Sequence, residues 1–259
     1  MKRLALLAAV LAAGAASLGA QGALGAEEIV RASRDRIQAD TVSSRSRMMI
    51  VAKDGSATER LVDQYSLDAK EGKRTVIVFQ KPASVAGTRF LTVSNPGRDD
   101  DRWIFLPSLA KVRRIAGSEG SGSFVGTDFS YDDISSSDRE VEEDTHAILR
   151  EEKLEGKDCW VIESRPKDPS FQYTRMVHWI EKGSCIALKA ELYDKKGLLK
   201  LLEFSQFKEV QGRITPMATK LSNLQANTST SIAVEILKYD EKIPAGVFTP
   251  RYLETGRPQ

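Results

Sequence analysis

The side chains that could do chemistry in this chain are few and lie far apart. Two histidines, His146 and His178, and two cysteines, Cys159 and Cys185, are all that its 259 residues offer of those types. Neither histidine belongs to an HExxH pair, no CxxC occurs, and no GxSxG places a serine on a nucleophile elbow. Both histidines are therefore read as structural or surface groups. Acidic side chains are abundant, but they fall mainly in turns and on the wet faces of strands, so no catalytic pair is nominated. The glycine run 117–122 lacks the GxxxxGK[ST] spacing and the lysine of a phosphate-binding loop. No catalytic residue, metal or cofactor is expected.

The elements that would position any site are strands. Residues 160–207 read as a meander of four, at 160–163, 173–180, 186–193 and 199–207, joined by short turns at 166–169, 181–184 and 194–197. Connections this short suit antiparallel neighbours, since a parallel pair needs a crossover of a dozen or more residues. In the third strand Ile186, Leu188, Ala190 and Leu192 alternate with Lys189, Glu191 and Tyr193, one face dry and one wet. The fourth carries large apolar groups on both sides, Leu199, Leu201 and Phe207 against Leu202 and Phe204.

Earlier strands are expected at 41–52 and 57–67, and those at 74–80, 88–93 and 102–106 repeat this two-faced pattern. Val76 and Val78 oppose Ile77 and Phe79, and Trp103 and Phe105 oppose Ile104 and Leu106. Such strands suggest a strongly curved sheet around an interior filled by side chains, by helices or by a greasy ligand. A helix expected at 27–40, with Ile29, Val30 and Ile37 as a partial apolar stripe, is the simplest cover. Residues 111–126 break the strand pattern with a basic cluster (Lys111, Arg113, Arg114) and the glycine run, expected to be mobile. Phe124, Phe129, Tyr131 and Ile134 then read either as a lid or plug over a cavity or as the anchors of a surface loop. Further strands follow at 145–152, at 213–224, where Pro216 marks a start at or near an edge, and at 231–237. The tail 243–253 is too apolar to hang free and is expected to dock on the sheet.

Residues 1–26 read as a secretory signal: Lys2 and Arg3, an apolar run over 4–16, and small residues that suit cleavage after Ala20 or Ala26. The run is shorter than the 18 or more residues of a spanning helix. No cysteine stands at the cleavage region to be lipidated. Of 38 basic residues two belong to this segment, leaving 36 against 36 acidic, a balance that argues against a nucleic-acid partner. The remainder, 27–259, is expected to form a single β domain. Export would permit a Cys159–Cys185 disulfide, yet in a flat meander the two lie roughly 9–10 Å apart, beyond a disulfide's reach. A bend at the Gly183 turn would close that gap, so paired and free states both stay open.

Three stretches carry a resemblance: residues 101–115 (DRWIFLPSLAKVRRI), residues 124–134 (FVGTDFSYDDI) and residues 246–253 (GVFTPRYL). The chain resembles the outer-membrane lipoprotein-sorting-like proteins, a branch of the LolA/LolB-like superfamily, over nearly all of the segment after the signal. The resemblance implies a mainly β fold, a curved incomplete antiparallel β-barrel closed by helices and a loop lid, with an apolar cavity. It implies a soluble periplasmic carrier that binds a lipid or lipoprotein acyl chain for transfer between membranes. Its expected partners are that acyl chain, an RND-type (MMPL-like) inner-membrane exporter and peripheral membrane contact. The ligand-binding candidates are Phe79, Phe90, Trp103, Phe105, Trp160, Trp179 and Phe204, with Phe124 and Phe129 on the lid. A structural or accessory cell-envelope protein and a lipid-modifying enzyme are the alternatives.

Overall fold

The computed structural model describes residues 24–135 and 139–258, so the expected signal segment lies almost wholly outside the described residues. The first six strands are β1 (Thr41–Val51), β2 (Ala57–Leu67), β3 (Arg74–Lys81), β4 (Arg89–Val93), β5 (Asp101–Leu106) and β6 (Lys111–Ile115). Seven more follow: β7 (Asp144–Leu154), β8 (Lys157–Pro166), β9 (Arg175–Glu181), β10 (Ala187–Asp194), β11 (Gly197–Val210), β12 (Arg213–Asn223) and β13 (Thr228–Tyr239). All join one antiparallel sheet in the order β6-β5-β4-β3-β2-β1-β13-β12-β11-β10-β9-β8-β7.

This order follows from short hairpins. Within each half, β1–β6 and β7–β13, every strand pairs with the next in sequence, and the two halves of the chain meet where β1 lies against β13, Val42 opposite Tyr239 through Val51 opposite Ser229. The outermost strands β6 and β7 are left as two edges, so the curved sheet stays open. The segment that connects them in sequence, residues 116–143, therefore has to span the opening.

Both faces of the first half are covered, as its two-faced strands require. Inward, Ile77 and Phe79 of β3 stand beside Phe90 of β4 and Ile104 of β5 in the largest buried cluster. Outward, Val76, Val78 and Leu91 are covered by the tail, whose Val247, Phe248 and Leu253 are buried against them. The tail docks through a short 3-10 turn (Ala245–Phe248) and a helix, α3 (Pro250–Thr255). Pro250 begins that helix behind Thr249, whose hydroxyl accepts from the Tyr252 amide at 3.2 Å. Gly256 ends it in the left-handed conformation (φ 66°), and Arg89 of β4 donates to the Leu253 carbonyl at 2.7 Å.

Several sequence expectations are corrected. Residues 111–115 do not break the pattern: they form β6, paired with β5 from Leu106–Lys111 to Arg102–Ile115, and the basic cluster charges an exposed edge. The helix expected over 27–40 is α1 (Ala26–Arg34), which ends at Arg34 and buries Ile29 and Val30. A register shift between Ala187 and Lys189 turns Leu188 away from Ala190 and Leu192 and into the outer cluster of Val161, Val177 and Trp179. Pro216 lies inside the sheet, but the β12–β13 ladder starts only at Ala218, so its missing amide costs no bond on that side. Cys159 and Cys185 are free thiols; they pack in different clusters, Cys159 with Val161 and Trp179, Cys185 beside Ile29 and Ile180.

Candidate functional site

The connection between the two edges is a plug. Phe124 and Phe129 close a tight reversal, with the Phe124 amide donating to the Phe129 carbonyl at 2.8 Å, and a one-turn helix, α2 (Tyr131–Ser135), follows. The helix starts because Ser130 and Asp133 cap it reciprocally: the Ser130 amide donates to the Asp133 carboxylate at 2.8 Å, and the Asp133 amide to the Ser130 hydroxyl at 3.0 Å. Phe124 is fully buried, with ring centroids 5.8 Å from Phe79, 5.1 Å from Phe90 and 5.7 Å from Tyr131. Aromatic pairs at such separations add about 0.5–1.5 kcal/mol each to the gain from burial.

Three carboxylates fasten the plug to strands on both sides of the opening. Asp132 takes Arg102 of β5 at 2.7 Å. Asp133 takes Lys200 of β11 at 2.6 Å and the Tyr173 hydroxyl at 2.6 Å. Asp128 takes the hydroxyls of Thr228 and Thr230 on β13, the latter at 2.7 Å. The Lys200–Asp133 pair is buried, with side-chain exposures of 6% and 9%. Burial and the neighbouring Asp133 charge push the Tyr173 phenol well above its ordinary pKa, so it acts only as a donor there.

Beyond the plug, the inner face of the second half is not filled. A hollow of about 210 Å³ lies against β9 (Met176, His178, Ile180), β10 (Ala187, Ala190, Leu192), β11 (Leu202, Phe204) and Leu221 of β12. Its roof is α1, through Val30, Ser33 and Arg34, together with Phe129 and Asp133 of the plug and Arg139, Phe171 and Tyr173. The strand residues share one side because facing positions pair directly: Ala190 lies opposite His178 and Leu202, and Leu202 opposite Leu221.

One end of this hollow is polar. Arg139 donates to Asp144 at 2.7 and 3.2 Å, its guanidinium lies 4.2 Å from the centre of the Phe171 ring, and it meets Glu143 at 2.8 Å. Arg34 donates to the Arg139 carbonyl and comes no nearer than 3.9 Å to Asp144. Burial draws the Arg34 pKa below the ordinary guanidinium value, against the pull of Asp144. His178 is half-buried, and its Nε2 is buried with no hydrogen-bond partner. Burial, with Arg34 and His146 nearby, lowers its pKa to about 4, so it is neutral at physiological pH.

The nine residues singled out from sequence divide by face. Phe129 and Phe204 line the hollow. Phe79, Phe90 and Phe124 are on the inner side but packed solid with the plug. Trp103 and Phe105 lie on the outer face of β5, under the tail. Trp179 is also outside, with Lys189 4.1 Å over its ring, and Trp160 packs beside α1 and Ile162. Beside the aromatic Phe129, Phe171, Tyr173 and Phe204, the hollow is lined by eight aliphatic residues, Met176 included, which aromatic size does not point to. Alternation from Ala190 and Leu192 through the register, Met176, His178, Ile180, Leu202 and Leu221, was the signal that could have found them.

His146 is hydrogen-bonded at both nitrogens, to Ser164 at 2.8 Å and to the Val141 carbonyl at 2.9 Å, which makes Nε2 the donor and leaves Nδ1 to accept from the serine. Ser164 is fully buried, so this hydroxyl meets no substrate. Among the described residues no group of three His, Cys, Asp or Glu side chains is placed to hold a metal ion. No described helix is long and apolar enough to cross a membrane.

A family model described as uncharacterized protein-like matches residues 71–255. No curated protein matches the chain. Among solved structures, a domain from Vibrio parahaemolyticus named for outer membrane lipoprotein sorting is 30% identical, with a TM-score of 0.83 over 89% of this chain and 98% of that one. A DUF1329 family protein from Desulfovibrio piger is 31% identical, with a TM-score of 0.83 over 88% of this chain and 97% of that one. A LolA superfamily protein from Nitrosomonas europaea shares 22% identity and the fold, at a TM-score of 0.71 over 89% of this chain and 100% of that one.

Proposed function

The chain belongs to the outer-membrane lipoprotein-sorting-like (DUF1329) family, with the LolA/LolB-like fold, and from that premise we propose that it is a periplasmic lipid carrier. It holds an acyl chain in the hollow between β9–β12, α1 and the plug, and passes it between membranes without altering it. The observation that carries this reading is the hollow itself, a mainly apolar space on the concave face of an open sheet. A methylene is close to a water molecule in volume, so 210 Å³ at ~30 Å³ each holds about seven of them. At ~0.8 kcal/mol per buried CH₂ that supplies roughly 5–6 kcal/mol before ordering costs. A longer chain needs the plug to move, which makes residues 117–134 the lid. An RND-type exporter, the partner the resemblance implies, would act as donor or acceptor of the lipid.

The test is titration with a fluorescent acyl probe, with native mass spectrometry of the protein as purified. Saturable binding of one probe per chain, and recovery of the ligand chemically unchanged, is the expected result. An absence of saturable binding overturns the carrier reading. Hydrogen exchange over 117–134 should rise or fall on ligand addition, and equal protection in both states removes the lid role.

A further inference from the structure

We infer that the hollow selects an amphiphile with a single chain and an anionic head, its tail along Met176, Leu192, Leu202 and Phe204 and its head at Arg34, with His178 donating from the wall. This deepens the carrier reading and rests on it. Two arginines close the polar end, and of the one carboxylate fully buried with them, Asp144, Oδ1 is held by Arg139 while Oδ2 makes no hydrogen bond and faces Arg34. Arg34 is left 3.9 Å away, loosely paired, and its charge is only partly compensated, which agrees with the downward pull of burial on its pKa. Glu140 and Glu143 stand nearby but are exposed, where water and salt weaken their hold. Asp133, the acid in the opposite wall, is engaged by Lys200 and Tyr173.

His178 supplies the second, independent observation. Its Nε2 is buried in the lining with nothing to bond, an arrangement that costs stability unless a ligand completes it. Being neutral, it can donate to an oxygen without adding a second uncompensated charge. Arg34 keeps a quarter of its side chain exposed, so a head group meets it at the mouth while the tail enters. The volume admits one chain segment and no second chain beside it.

The experiment is displacement of a fluorescent acyl probe from the full chain by decanoate, decyl phosphate and decanol. Both anions, or whichever one the site takes, should compete about tenfold or more better than decanol. A preference for the carboxylate points to a fatty acid, and one for the phosphate to a phosphate-bearing lipid. Arg34→Gln should bring the anions level with decanol while decanol itself is unchanged, and His178→Leu should remove part of the preference. Should Arg34→Gln fail to fold, the wild-type preference must still shrink between about 0.02 M and about 0.5 M salt, as an ionic contact at an open mouth requires. Equal competition by decanol and the anions, or a preference that survives Arg34→Gln or high salt, overturns the head-group assignment and leaves the carrier reading standing. Failure of the probe and of all three amphiphiles to bind overturns the carrier reading itself.

Discussion

The two halves of the sheet are built from the same kind of strand and end in opposite states. Against β1–β6 the plug drives Phe124 and Tyr131 into Phe79 and Phe90, and the tail seals the reverse face with Phe248 and Leu253. Against β9–β12 the same concave surface is covered by α1 and by the far side of the plug, and a hollow of about 210 Å³ remains. The lesson is that two-faced apolar strands specify that both faces be covered, but not by what. In one half the cover is the chain itself, and in the other it leaves room for a guest.

Replacements that tell a packed wall from an open one break or sharpen this contrast. The largest effect belongs to Phe124→Ala, which empties the packed half and should cost about 3–5 kcal/mol in urea unfolding. Lys200→Met strands the buried Asp133 carboxylate and should cost nearly as much, about 3 kcal/mol or more, with faster amide exchange across 128–135 as the accompanying sign. If that exchange stayed slow, the buried pair would not be what fastens the plug.

A pH effect of similar order should come from the hollow half. His178 has a folded pKa of about 4 against 6.5 when unfolded, so between those values the unfolded chain binds the extra proton. Stability should therefore fall as pH drops from 6.5 towards 4, by on the order of 3 kcal/mol in all, and the contribution vanishes above that window. His178→Leu should flatten the profile there while leaving stability at pH 7.5 within about 1 kcal/mol. Smaller again is Phe204→Ala, expected to cost about 1–2 kcal/mol because this ring borders open space. Least of all for stability, and most telling, is Leu202→Trp: with room to receive the larger ring it should move the thermal midpoint little while displacing an acyl probe. A severe loss of stability in that variant would mean the hollow cannot accept a side chain, and by the same reasoning would not readily accept a lipid tail.

Much of the architecture is legible in the sequence. Short turns at 181–184 and 194–197 required antiparallel neighbours, and the meander of β8 to β11 follows. The apolar tail had to dock, and Thr249, Pro250 and Gly256 supply the start and stop of its helix. Residues 111–115 were misread because Lys111, Arg113 and Arg114 hide a strand whose edge position favours charge. The candidate site was less legible. Trp103, Phe105 and Trp179 are as large and apolar as any lining residue, yet alternation alone cannot say which face of a strand becomes concave.

What the sequence determined by itself is local: the strands, the antiparallel pairing of neighbours joined by short turns, the turns themselves, and the demand that both faces be covered. Those follow from periodicity and from groups near one another along the chain. What only the tertiary structure decided is long-range. The meeting of β1 with β13 leaves β6 and β7 as open edges, and the direction of curvature makes Ala190 and Leu202 interior while Trp103 is exterior. The plug reaches over β9–β12 through Phe129 and Asp133 without filling the space beneath, and Arg34 of α1 arrives beside Arg139 with one buried carboxylate between them. None of these is a property of a segment, because each depends on how the sheet bends and on which residues distant in sequence that bend brings face to face.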